Sequence, residues 1–196
     1  LLVRKPSRLR SGGFFRGFLV TDTGSILLDG DAIARAVARL AHQILERDRA
    51  VDQLVLVGVR SRGVQLAHRI AHKLDELAGR VVPVGAIDIT PYRDDVAQPP
   101  DRIEGTETDV AFPIDNAVVV LVDDVLSTGR TVRVALDVLA GLGRPRAIQV
   151  AVLVDRGNRE VPIRADFVGQ NVAGDEPRRV HVRVRELDGV DEVALR

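Results

Sequence analysis

The chain has 196 residues, 45% of them hydrophobic and 3% aromatic, and its 28 Lys+Arg are balanced by 28 Asp+Glu. That length suits one ordinary domain with a real core, and the composition excludes a disordered chain or a non-specific coat for nucleic acid. Without Cys there is no disulfide framework, thiolate metal site or cysteine nucleophile, which fits a reducing, cytoplasmic setting. No apolar run approaches the roughly 18 residues of a membrane span, so no membrane partner is expected.

Residues 1–24 differ from the rest. They carry Arg4, Lys5, Arg8, Arg10 and Arg16 against Asp22 alone, with no period that holds, and read as a basic extension. The remaining 25–196 read as one domain. Asp29 or Asp31 can cap a helix whose apolar positions Ile33, Val37, Leu40, Ile44 and Leu45 keep helical spacing. Gln53 to Gly58 is a short apolar run, expected to be a buried strand. Val64 to Leu77 again has one apolar helical face, and Val81 to Ile89 reads as a strand. A long polar stretch follows; at about residues 91–115 it exceeds a plain connection and is expected to be a lid. Ala117 to Val122 is continuously apolar, Thr131 to Leu142 is a helix stopped by Gly143, and Ala147 to Val154 is a further strand. Ala165 to Val168 and Val180 to Val184 alternate as strands do. Continuously apolar strands separated by helices imply a parallel sheet covered on both faces, an α/β fold.

The strongest chemical signal is Val118 to Thr131, VVVLVDDVLSTGRT. An apolar strand ends in Asp123-Asp124, and Ser127-Thr128-Gly129-Arg130-Thr131 leads into a helix. Open α/β sheets bind ligands at such strand ends. Free N–H groups and the helix dipole suit a phosphate, the hydroxyls of Thr128 and Thr131 add donors, and Gly129 permits close backbone approach. Two adjacent carboxylates suit vicinal sugar hydroxyls or the hydration shell of Mg²⁺. A helix cap with solvated acids is the plainer alternative. The segment is neither a Walker loop nor a dinucleotide fingerprint. A second turn, Gly58 to Gly63 (GVRSRG), places Arg60 and Arg62 where backbone and guanidinium can meet a diphosphate, or water. His42, His68 and His72 have no carboxylates at ligand spacing, so no protein-held metal is expected.

VVVLVDDVLSTGRT resembles the phosphoribosyl diphosphate (PRPP) signature of type I phosphoribosyltransferases. GVRSRGVQLAHRI (58–70), DITPYRDD (88–95) and GRPRAIQVAVLVDRGNREVPIRADFVGQNV (143–172) resemble, in the same order, the PyrR family of pyrimidine-operon attenuation regulators with uracil phosphoribosyltransferase activity. The resemblance implies a mostly parallel sheet flanked by helices, with a small hood and a flexible lid. It implies PRPP, uracil and UMP as ligands, with Mg²⁺ carried by PRPP. Asp123 and Asp124 would hold the ribose hydroxyls, and Val125 to Thr131 (Val125, Leu126, Ser127, Thr128, Gly129, Arg130, Thr131) the 5-phosphate. Ser61 and Arg62 would contact the diphosphate, Arg93 would reach it from the lid, and Arg156 and Val172 would lie at the base. Arg35, Arg39 and His42 on the first helix, with Arg144 and Arg146 in the GRPR turn, would form a basic face for an mRNA hairpin, bound in a UMP-dependent way. A homodimer or larger homo-oligomer is implied as well. Asn158 and Gln170 stand where the family usually has His and Lys, and Ala38 where it often has Thr. Two alternatives remain open here: an RNA-binding regulator that keeps the pocket only as a nucleotide sensor, and a transferase for another base such as hypoxanthine.

Overall fold

In the computed structural model, the described residues are 24–48, 53–90, 108–173 and 176–196. The basic extension, apart from Gly24, and Arg93 lie outside them.

Ser25–Asp29 forms β1, and Asp29 then caps α1 (Gly30–Arg47), its carboxylate accepting the Ala32 N–H at 2.8 Å. Of the two candidate caps, Asp29 is the one used. The buried stripe Ile33, Ala36, Val37, Leu40, Ala41 and Ile44 follows helical spacing. β2 (Leu54–Val59), α2 (Arg62–Ala78) and β3 (Val84–Ile87) come next. α2 starts two residues ahead of the expected Val64 because Gly63 belongs to its first turn and packs on β4 (Val118–Leu126); a Cβ there would stand 2.4 Å from the Val122 carbonyl oxygen. α3 (Arg130–Leu142), β5 (Ala147–Asp155) and β6 (Phe167–Asn171) complete the main layer.

The five strands run parallel in the order β3-β2-β4-β5-β6. Val118, Val120 and Val122 pack toward α1 and α2, while Val119 and Leu121 pack toward α3. Both faces of β4 are therefore covered, which is why its sequence shows no alternation. The strand does not end at the acid pair, where it was expected to, but continues to Leu126. β5 is equally long, and pairing runs on through Asp123 with Val152 and Leu126 with Asp155.

A second sheet, the small hood, is antiparallel in the order β1-β8-β7 and joins the first and last described strands. Its strands are β7 (Val180–Arg183), β8 (Glu192–Leu195) and β1, with the short helix α4 (Arg185–Asp188) between β7 and β8. β1, β8 and α4 are too short to announce themselves by period. Of the stretch expected to be a lid, residues 91–107 lie outside the described residues. Residues 108–115 instead run along the sheet edge: Asp109 bridges Ala86, and Ile114 is buried against the α3-side core.

Candidate active site

Because the main strands are parallel, the turns after β2, β4, β5 and β6 all leave the same edge of the sheet. That edge gathers Ser61 and Arg62, Asp123 to Thr131, Arg156 and Val172 at strand ends.

The turn between β4 and α3 is held by its own backbone and by the segment after β5. Gly129 adopts φ 88°, and a Cβ on it would meet Val161 Cγ2 at 2.7 Å, so both conformation and space call for glycine. The Thr128 carbonyl accepts the N–H groups of Glu160 and Val161 at 2.9 and 3.2 Å. The Ser127 carbonyl accepts Arg159 Nη1 at 2.8 Å, and Arg130 pairs with Glu160 at 2.6 Å. The Thr128 hydroxyl accepts the Arg130 N–H, and the N-cap itself, Gly129, has no side chain to bond the N–H groups that follow. A first helical turn without a side-chain cap is suited to an oxyanion. Val125 and Leu126 differ from the rest of the expected set: Val125 is half-buried against the core, and Leu126 is buried, so it can offer a ligand only its main chain. Thr131 is half-buried in the first turn of α3.

Asp123 is buried and Asp124 half-buried at the end of β4. Asp123 Oδ1 accepts the Asp124 N–H at 2.9 Å, and Asp124 Oδ1 accepts the Val125 N–H at 3.0 Å. Each carboxylate is thereby oriented by the next peptide. Among the described residues no group of three or more His, Cys, Asp or Glu comes together to hold a metal ion. The acid pair offers oxygen donors suited to a hydrated Mg²⁺ brought in by phosphates, not to an all-protein cage.

The turn after β2 is held from farther away. Ser61 is exposed, and the Arg60 N–H bonds the Ile87 carbonyl at 2.9 Å. Arg62 does not point at open solvent: its Nε and Nη2 bond both carboxylate oxygens of Asp188, at 3.2 and 2.8 Å. Asp188 also accepts the Val184 N–H. The Arg62 guanidinium, aided by that N–H, holds the Asp188 carboxyl below its ordinary range. About two helical turns later, Arg69 bonds both oxygens of Glu186 and reaches Asp191 at 2.7 Å. Glu186 is lowered chiefly by the Arg69 bond. Burial alone would raise Asp191, but its bonds from Arg69 and the Arg185 N–H outweigh that and lower it. These hood acids were missed by the sequence reading. A signal existed: Arg62 and Arg69 are seven apart on one helix face, and Glu186, Asp188 and Asp191 form the one acidic turn near the chain's end.

On the base side, Asp155 ends β5. Its carboxylate accepts the Gly157 N–H and Arg159 Nη2, and its carbonyl accepts the Val172 N–H at 2.8 Å. Val172 thus lies beside that strand end. Arg156 Nη2 bonds the carbonyls of Glu176 and Arg178, at 2.7 and 2.9 Å. The Glu176 carboxyl is held down to about 2 by the guanidinium and N–H of Arg178.

The residues expected to meet RNA lie in two places. Arg35, Arg39 and His42 are exposed along α1; Arg39 donates to the Gly169 carbonyl of β6, and His42 Nδ1 lies 2.8 Å from the Ala38 carbonyl. Arg144 and Arg146 are exposed in the turn before β5, at the opposite end of the strands from Ser127 to Gly129. No described helix is long and apolar enough to cross a membrane.

The family model for the phosphoribosyl transferase domain matches residues 23–181. A "Bifunctional protein PyrR" of Chloroflexus aurantiacus is 56% identical over 171 residues, covering 86% of this chain and 93% of that protein. Those of Pelotomaculum thermopropionicum and Thermus thermophilus are 51% and 52% identical over 169 residues, with the same 86% and 93% coverage. Among solved structures, a hypoxanthine phosphoribosyltransferase from Staphylococcus aureus superposes with a TM-score of 0.66 at 20% identity, covering 88% of this chain and 92% of that one. The Trypanosoma cruzi enzyme in complex with IMP gives 0.66 at 20% identity, covering 87% and 89%. Those two likenesses speak to fold alone. The family model and the curated relatives say more: this chain belongs to the PyrR family, built on the type I phosphoribosyltransferase fold.

Proposed function

We propose that this protein transfers the phosphoribosyl group of PRPP to uracil, giving UMP and diphosphate, and that with UMP bound it regulates pyrimidine-operon expression by binding mRNA. The observation that carries the reading is the join of Asp123-Asp124 to an uncapped helix start through Ser127 to Gly129, in a PyrR-family chain.

In this reading uracil N1 attacks C1 of PRPP with inversion; the N1–C1 bond forms as the bond from C1 to the diphosphate oxygen breaks, and the N1 proton is lost to solvent or the departing diphosphate. Positive charge develops on the ribose, so the protein's work is positioning and electrostatic stabilisation. Asp123 and Asp124 orient the ribose hydroxyls and place negative charge beside the developing cation. Ser127 to Thr131 hold the 5-phosphate, supplying binding energy remote from the bond that breaks. When bound with PRPP, Mg²⁺ neutralises diphosphate charge. Ser61 and Arg62 face the leaving group, which requires Arg62 to exchange Asp188 for phosphate oxygens, and Arg93 is assigned there too. Val172 frames the base, and Arg156 is assigned beside it. Arg35, Arg39, His42, Arg144 and Arg146 are assigned to the RNA, and the working form to a homodimer or larger homo-oligomer.

The test is base-dependent nucleotide formation from PRPP and Mg²⁺ with uracil, hypoxanthine, guanine and orotate in parallel. UMP from uracil alone is expected; IMP from hypoxanthine would overturn the base assignment. UMP binding without turnover would reduce the pocket to a sensor.

A further inference from the structure

Arg159 was singled out by neither motif nor resemblance, yet its guanidinium has the most demanding set of partners at the site. Nε donates to the Ile163 carbonyl at 2.7 Å, Nη1 to the Ser127 carbonyl at 2.8 Å, and Nη2 to Asp155 Oδ2 at 2.6 Å. These acceptors come from the segment after β5, the phosphate-binding turn after β4, and the end of β5. The side chain is 19% exposed and that of Asp155 13%, so the fork is largely shielded from water. Only a planar guanidinium reaches three such acceptors at once.

The geometry points to Arg159 as a positioning residue that sets the phosphate turn from the base side. Its bond to Ser127 acts on the residue that opens the turn. Two residues of the same segment, Glu160 and Val161, hold the next carbonyl, that of Thr128, and Val161 stands where a Cβ on Gly129 would be. Through Asp155 the same guanidinium connects to the Val172 N–H, on the side assigned to the base. Asp155, tied by its main chain to Val172, is therefore the anchor from which Arg159 reaches the phosphate turn. Arg159 touches neither ligand in this account; it fixes the carbonyls so that the N–H groups of the turn and of α3 face the phosphate. The inference rests on the nucleotide reading above and adds the residue that tunes it.

The test compares equilibrium binding of UMP and of uridine, which lacks only the phosphate, to the full chain and to Arg159→Gln, with thermal unfolding alongside. A positioning role predicts a UMP affinity lower by about ten- to hundredfold, the scale of losing charge-assisted hydrogen bonds, and a nearly unchanged uridine affinity. Arg159→Lys keeps the charge without the fork and should behave like Arg159→Gln; full recovery in it would overturn the inference. Asp155→Asn, which alters one acceptor and removes no packing, should shift UMP binding in the same direction by less. A variant that unfolds earlier but still prefers UMP to uridine as the unaltered chain does would also overturn it. If the unaltered chain itself shows no preference for UMP, the nucleotide reading falls, and this inference with it.

Discussion

Two turns on one sheet edge, the ones assigned above to the 5-phosphate and to the diphosphate, are built differently. The turn after β4 is locked by main-chain bonds from residues 160 and 161, by a left-handed glycine and by the Arg159 fork. The turn after β2 is tied down by a side-chain pair, Arg62 with Asp188, reaching into the hood. Locked backbone suits a phosphate that stays put through the reaction, because the binding geometry is prepared in advance. An exchangeable ion pair suits a diphosphate that arrives and leaves, since the guanidinium can swap one set of oxygens for another. The difference is between a fixed anchor and a cation held in reserve.

The acid pair between the two turns gives the largest expected effect. Asp124→Asn should lower kcat/KM for UMP formation by about 100-fold or more, as losses of a charge placed at a reacting centre do, while leaving thermal unfolding nearly unchanged. A near-wild-type rate would remove the ribose assignment and leave two turns with nothing between them. Gly129→Ala tests the fixed anchor. The positive φ and the 2.7 Å approach to Val161 should destabilise the chain by about 1–3 kcal/mol and raise KM for PRPP about tenfold, read by steady-state kinetics and calorimetry. Unchanged KM would mean the turn can yield after all.

Asp188→Asn tests the reserve. Freed from its ion pair, Arg62 should bind diphosphate more tightly, by about threefold in product-inhibition assays, on the scale of partly exposed ion pairs. Weaker diphosphate inhibition would show that Asp188 instead presents Arg62 to the ligand. The hood latch also carries a pH signature. Glu186, Asp188 and Asp191 all have folded pKa values below their ordinary values of 4.5, 3.8 and 3.8. A depressed carboxylate contributes stability that is full above its unfolded pKa and is lost as pH falls through the folded one. The melting temperature should therefore drop on acidification from about pH 5 downward, and Arg69→Gln should flatten that drop. An equally steep profile in the variant would detach the latch from acid stability.

The smallest effects belong to the basic residues away from this edge. Arg35→Ala and Arg144→Ala should each lower UMP-dependent affinity for an operon mRNA hairpin a few-fold and reduce the salt slope of binding by about 1, without altering UMP formation. A change confined to one of the two positions would place the RNA on α1 or on the turn before β5 alone.

How much could be read in advance differs between the same two regions. The phosphate turn was legible because everything that makes it is contiguous: an apolar strand, two acids, small residues and a helix in fourteen positions, Val118 to Thr131. Its brace, Arg159, was not, because its meaning depends on Ser127 lying beside it across two strand ends. Arg62 was visible as a cation, but its tie to Asp188, 126 residues later, was not. Arg156 is similar: the motif brought it to the strand end, but its bonds to the carbonyls of Glu176 and Arg178, some twenty residues on, were not legible.

Local periodicity and contiguous motif chemistry were thus enough to determine the parallel α/β layer, the order of its helices and the edge at which the candidate residues gather, since all are set by residues near in sequence. The hood sheet, the length of β4 beyond the acid pair and the partners of Arg62, Arg156 and Arg159 were decided only by tertiary structure. Short strands at the two chain ends gain hydrogen bonds only by meeting each other, and a guanidinium takes whichever carboxylate or carbonyl the packed chain brings within reach.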